Sequence, residues 1–129
     1  MTVAAIGDVF RKLAEDGWGA LRFEPFRDGI EIARLFGQAD RGASGAVLKY
    51  QPGASAPRHR HPGFETIIVL DVAQSDEAGT YVKGDVVVNP PGSIHTVSSG
   101  PGCVVLIVWE KPVEFVDEQS RIVFRCSRK

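Results

Sequence analysis

From Ala20 onward the chain is divided into short apolar runs, each too brief to fold as a helix with a buried face. ALRFEPF, IEIARLF, AVLKYQ, ETIIVLD, DVVVN, CVVLIVW, VEFV and RIVF are four to seven residues long, alternating or continuously apolar. Gly, Pro, Ser or Asp bounds them, and the separators DG, GQADRGASG and PG carry turn chemistry. Segments of this length bury their apolar face only by pairing with neighbours in a sheet. An all-β sandwich or barrel is therefore expected.

Two segments stand apart from that pattern. Near the N-terminus, Ile6, Val9, Phe10 and Leu13 fall at helical spacing and Gly17 can end the segment, which predicts a short amphipathic helix over residues 3 to 16. Gly7 weakens that helix. At the other end, VEFV and RIVF lie beyond the long apolar run CVVLIVW and are separated by the polar DEQSR. The expected organisation is one domain, with residues 1–19 as an N-terminal helical arm, 20–110 as the barrel and 111–129 as a C-terminal arm. That last arm would pack on the barrel or on a second subunit.

A chain of 129 residues can bury a core of its own without disulfides or metals as staples. Fifteen basic residues against sixteen acidic ones leave a net charge of −1, with no basic footprint for nucleic acid. The first seventeen residues have scattered charges and no apolar signal region, and no run approaches the roughly 18 apolar residues of a membrane span. A cytoplasmic protein with no membrane partner is the expectation. Cys103 and Cys126 have no CxxC spacing, and Cys103 opens an apolar run, so it reads as a small buried hydrophobe.

Chemistry concentrates in PRHRHPGFE and KGDVVVNPPGSIHTVSS. In an extended segment, His59 and His61 project to one face, while Arg58 and Arg60 point to the opposite, solvated one. The bend PGF can bring Glu65 back to the imidazoles. His95 follows the Pro90-Pro91-Gly92 corner, where an antiparallel strand would place it opposite the first pair. The chain has three histidines in all, and each belongs to this arrangement. Two or three neutral imidazoles with a carboxylate suit a divalent first-row transition ion. A bare HxH more often decorates a surface turn, so Glu65 and His95 carry the metal reading. With every histidine committed, a Ser-His-Asp triad has no base, and neither cysteine has a partner that marks a nucleophile.

These two stretches resemble the cupin motifs. The first motif reads Gly53, ASAPR, His59-Arg60-His61, PGF, Glu65, TIIVLD and then Val72 where the family has Gly. The second reads Gly84, DVVVN, Pro90-Pro91-Gly92, SI, His95, TVS and then Ser99 where the family has Asn. RHRHPGFE, VLDVAQSDEAGTY and NPPGSIH are further similar to the group that holds the cupin domain of the ChrR anti-sigma regulator and the acetylacetone-cleaving dioxygenase.

The resemblance implies a double-stranded β-helix, or jelly-roll barrel, often homodimeric. It implies one divalent ion per chain (Fe, Zn, Mn, Ni or Co) on His59, His61, Glu65 and His95. A metal-dependent dioxygenase acting on a small diketone or enolisable acid is one expectation. A metal- or ligand-sensing module of the ChrR type is another, although no HxxxCxxC element precedes the barrel. A closed structural zinc barrel is the third. Phe64, Ile67, Val69, Val97, Ile107 and Trp109 are expected around the ion, about half of them facing inward, with Tyr50 able to offer a hydroxyl. The replacement at Val72 leaves the shape of the turn there open.

Overall fold

A computed structural model describes residues 7–38 and 40–125. The strands are β1 (Glu24–Arg27), β2 (Ile30–Gly37), β3 (Ser44–Tyr50), β4 (Ala54–Arg60), β5 (Glu65–Asp76), β6 (Gly79–Val82), β7 (Val86–Asn89), β8 (Ile94–Ser99), β9 (Cys103–Trp109), β10 (Glu114–Val116) and β11 (Ile122–Arg125). They form one curled antiparallel sheet in the order β1-β2-β3-β9-β5-β8-β4-β10-β11, with β6 and β7 also paired to β5. This is the single-domain cupin architecture. No helix among the described residues is long and apolar enough to cross a membrane.

All eight predicted runs overlap strands. β4, β6 and β8 lie outside them because ASAPRHR, GTYV and IHTVSS are short, polar or interrupted by proline. Alternation still governs β8, where His95, Val97 and Ser99 are buried and the residues between them half-buried. β3 is buried on both faces at nearly every position. Its inner face, with β5 and β9, supplies Leu48, Ile67, Val69, Val105 and Ile107 to the core enclosed by the curl. On its outer face Val47 joins Leu70 and Val104 in a second cluster, covered by Leu13, Trp18, Leu21 and Phe23.

The N-terminal covering is not the helix expected over residues 3 to 16. Residues 3–6 lie outside the described residues. From Gly7 the chain is irregular, then turns, and one 3-10 helix spans Gly17–Ala20. Lys12 takes φ +55, a left-handed value that interrupts α-helical continuation, and the amides of Glu15 and Gly17 both bond its carbonyl, at 3.0 and 2.9 Å. Gly17 does close this turn, since a Cβ there would lie 2.0 Å from the Arg11 carbonyl oxygen. Of the described stripe residues, Val9 and Phe10 are exposed and Leu13 packs against the sheet.

β5 ties the two layers together. Its first half pairs with β9 and β7, its second with β6 and β8, and its register with β9 slips between Val69 and Asp71. At this bulge Val72 has φ +63. That is the conformation glycine adopts freely, so the backbone of the family's glycine is kept here at a strain of about 1–2 kcal/mol. The second departure acts at the same place, because the buried Ser99 hydroxyl donates to the Ala73 carbonyl at 2.6 Å.

Candidate metal centre

Strand register assembles the site. β4 and β8 pair with His59 directly opposite His95. Glu65 opens β5, and His61 lies one residue beyond β4, where its amide bonds the Ser93 carbonyl and its carbonyl accepts from the Gly92 amide. The Pro-Pro-Gly-Ser corner thus holds both sides of the His61 backbone. All four side chains are buried, with exposures of 6, 1, 2 and 6% for His59, His61, Glu65 and His95. One potential ligand atom from each lies within 4.8 Å of every other. The four residues singled out in the sequence therefore converge.

The outer hydrogen bonds decide which ring nitrogens face inward. His59 Nδ1 lies 2.7 Å from the Pro57 carbonyl, which can only accept. The Ser93 hydroxyl donates to the Pro90 carbonyl at 2.6 Å, leaving its oxygen to accept from His61 Nδ1 at 2.9 Å. His95 Nδ1 donates to Asp76 Oδ2 at 3.1 Å. Each ring spends its Nδ1–H outward, so each neutral imidazole turns an Nε2 lone pair to the centre. Two of these, on His59 and His95, are 3.0 Å apart. His61 Nε2 is buried without a hydrogen-bond partner, 3.1 Å from Glu65 Oε1. Acceptors crowded in this way repel unless a cation or a proton lies among them, and three nitrogens with one carboxylate suit a divalent first-row ion.

Burial pushes His59 down to about 4, and the neighbouring imidazoles add to that, against the pull of Glu65 and the Pro57 carbonyl. Burial acts to raise Glu65, but the surrounding imidazoles, His61 at 3.1 Å foremost, hold it below the ordinary carboxylate value. The Glu65 carboxylate is also fixed in place. Trp109 and Asn89 flank it on the neighbouring strands. The Trp109 indole donates to Oε2 at 2.9 Å and the Asn89 amide to Oε1 at 3.0 Å. Swinging Glu65 away to leave three histidines would strand both donors.

Asp76, Ser93, Asn89 and the donor role of Trp109 were not legible in the sequence. Ser93 at least sits inside the second motif, whereas the others depend on register. Arg58 and Arg60 are half-buried beside β10, which pairs alongside β4. Arg58 donates to the Ser120 hydroxyl, and Arg60 bonds the Ser120 carbonyl and pairs with Glu114. Of the six apolar residues expected around the ion, Phe64 is the exposed one, at 48%.

The cluster borders a cavity of about 50 Å³ inside the curl, whose walls include Tyr50, Ile67, Gln74, Ile107, Trp109 and Phe115. By this measure one water needs roughly 10–15 Å³, so a small molecule fits and a polymer does not. Cys103 is buried in β9 and its thiol is pushed up to about 11 by burial, which leaves it inert. Cys126 lies outside the described residues.

No curated protein matches the chain in sequence. Among solved structures, an acetylacetone dioxygenase from Acinetobacter johnsonii superposes with a TM-score of 0.74 at 14% identity, over 98% of this chain and 87% of that one. A cupin-like protein of unknown function from Ralstonia eutropha gives 0.68 at 17% identity, over 75% of this chain and 64% of that one. The Rhodobacter sphaeroides complex of SigE with the anti-sigma ChrR gives 0.61 at 27% identity, over 69% of this chain and 49% of that one. The chain thus spans about half the length of the matched chain in that complex. The family model for the ChrR cupin-like domain matches residues 18–114, and the chain belongs to that family.

Proposed function

We propose that the chain holds one divalent transition ion on His59, His61, Glu65 and His95 and is a metal-dependent enzyme, of the oxygenase type, for a small oxygen-rich molecule. The observation that carries this reading is the inward crowding of the Nε2 atoms, with that of His61 buried and unpartnered, beside a cavity. His59, His61, Glu65 and His95 would hold the ion, which when bound would supply Lewis acidity toward a chelating dicarbonyl or enolisable acid. The protein's own part is positional. Asp76, Ser93 and the Pro57 carbonyl keep the imidazoles oriented, and Trp109 and Asn89 hold the carboxylate. The apolar walls exclude bulk water, while Tyr50 and Gln74 offer buried polar groups to a ligand. The likeness to an acetylacetone dioxygenase supports a diketone-like shape for that ligand.

Elemental analysis of freshly purified protein is expected to find about one ion per chain. H95A should lose it, and oxygen uptake with acetylacetone or a related enolisable acid should require it. Protein without metal, or with metal but inert across iron, manganese, nickel and cobalt, overturns the enzyme reading. A regulatory module is the second reading, favoured by the 27% identity to the SigE–ChrR complex. It predicts a stoichiometric protein partner whose binding is lost in H59A. A closed zinc site would instead give tight zinc and no exchangeable water on the metal.

A further inference from the structure

The same cavity carries a charge that the metal cluster does not use. Arg27, at the end of β1, lines it together with His59 and Glu65. Its guanidinium lies 4.4 Å from the centre of the Phe115 ring and 5.1 Å from that of Phe26. The Phe115 ring in turn is 6.0 Å from the His59 ring, so a single aromatic side chain separates the guanidinium from the candidate ligand set. Arg27 makes no ion pair among the described residues, in contrast to Arg34, Arg60 and Arg121. Its charge is felt at the buried Tyr50 hydroxyl, which is also bonded to Gln74. The remaining wall is mostly aliphatic and aromatic.

A half-buried guanidinium stacked on two rings has its planar donor edge free for a planar acceptor. In a low-dielectric pocket, leaving such a charge uncompensated is costly, and a carboxylate compensates it with two parallel hydrogen bonds. Glu65 does not serve: Trp109 and Asn89 hold its carboxylate toward the imidazoles, and it forms no ion pair with Arg27.

We propose that the ligand of this cavity is a small oxo-carboxylic acid, with its carboxylate on Arg27 and its carbonyl oxygens toward His59 and Glu65. This deepens the metal-centre reading and rests on it for the carbonyl end. The carboxylate end depends on Arg27 alone. A neutral diketone would fill the same volume and leave the guanidinium without a partner.

Acetylacetone and acetopyruvate form the test pair, because acetopyruvate replaces one terminal methyl group by a carboxylate. Calorimetric titration of the metal-loaded protein should show acetopyruvate binding at least about tenfold more tightly. R27M should weaken acetopyruvate about ten- to a hundredfold while moving acetylacetone by less than about threefold. R27K, which keeps the charge but not the planar fork, should fall between wild type and R27M. Equal affinity for the two ligands, or an unchanged acetopyruvate affinity in R27M, overturns the assignment. Metal content of the same samples, and a titration of metal-stripped protein, keep the two readings apart. Wild type that takes up no ion defeats the metal centre, whereas a charge preference that is absent with and without the ion defeats only the role of Arg27.

Discussion

Two of the candidate ligands, His95 and Glu65, depend on what stands behind them. Asp76 receives the Nδ1–H of His95 and is itself held by the Tyr81 hydroxyl at 2.7 Å and the Ala78 amide at 2.9 Å. D76N should keep the fold yet weaken metal affinity about ten- to a hundredfold, read by competition with a chromogenic chelator. A wild-type affinity in D76N would show that the Asp76 bond does not orient His95. Trp109 plays the corresponding part for Glu65. W109F removes the donor to Oε2 and strands a buried carboxylate oxygen, at a cost of about 1–3 kcal/mol in urea unfolding of the metal-free protein. At this scale the sequence marked all four candidate ligands, because HxH and a carboxylate at short range are local patterns. It could not mark Asp76 or Asn89, whose roles come from strands that meet only after folding.

The bend in β5 is the feature on which both layers depend. Val72 sits there at φ +63 with 45% of its surface exposed, so little burial offsets its strain. V72G relieves the left-handed penalty of a β-branched residue and concedes part of the gain to the freer unfolded chain. The expected result is about 1 kcal/mol more stability, a rise of roughly 3–5 °C in Tm. A loss of stability would mean that the valine side chain makes a contact worth more than its backbone strain. Strand periodicity made most of the elements legible, including the terminal pair VEFV and RIVF, which join the sheet as β10 and β11. It failed for the N-terminal segment, where helical spacing met a left-handed Lys12 and a sheet face that accepts Trp18 and Phe23 without an α-helix.

For the molecule as a whole, the ligand cluster couples metal, protons and stability. A divalent ion at about a hundred times its Kd should stabilise the native state by about 2.7 kcal/mol, and stripping it should lower Tm by roughly 10 °C. An unchanged melt after verified metal removal would contradict the site. In metal-free protein, His59 falls from its ordinary 6.5 to about 4 on folding. Between those values the unfolded chain binds the extra proton, so stability rises with pH through this window and declines on acidification. The full difference is about 3 kcal/mol. Glu65, held low when folded, adds a loss in the same direction as pH falls below the carboxylate range. A melt that is flat from pH 7 to 4 would mean that the cluster is already protonated or open to water. What the sequence by itself determined is the set of strands, the motif spacing and the ligand types, because these follow from interactions among neighbours in the chain. What only the tertiary structure decided is the row Trp109–Glu65–Asn89, the tautomer of each imidazole and the Arg27 guanidinium over the cavity, without an ion pair among the described residues. Register between strands distant in sequence has no local code, and it alone sets which polar groups are buried side by side.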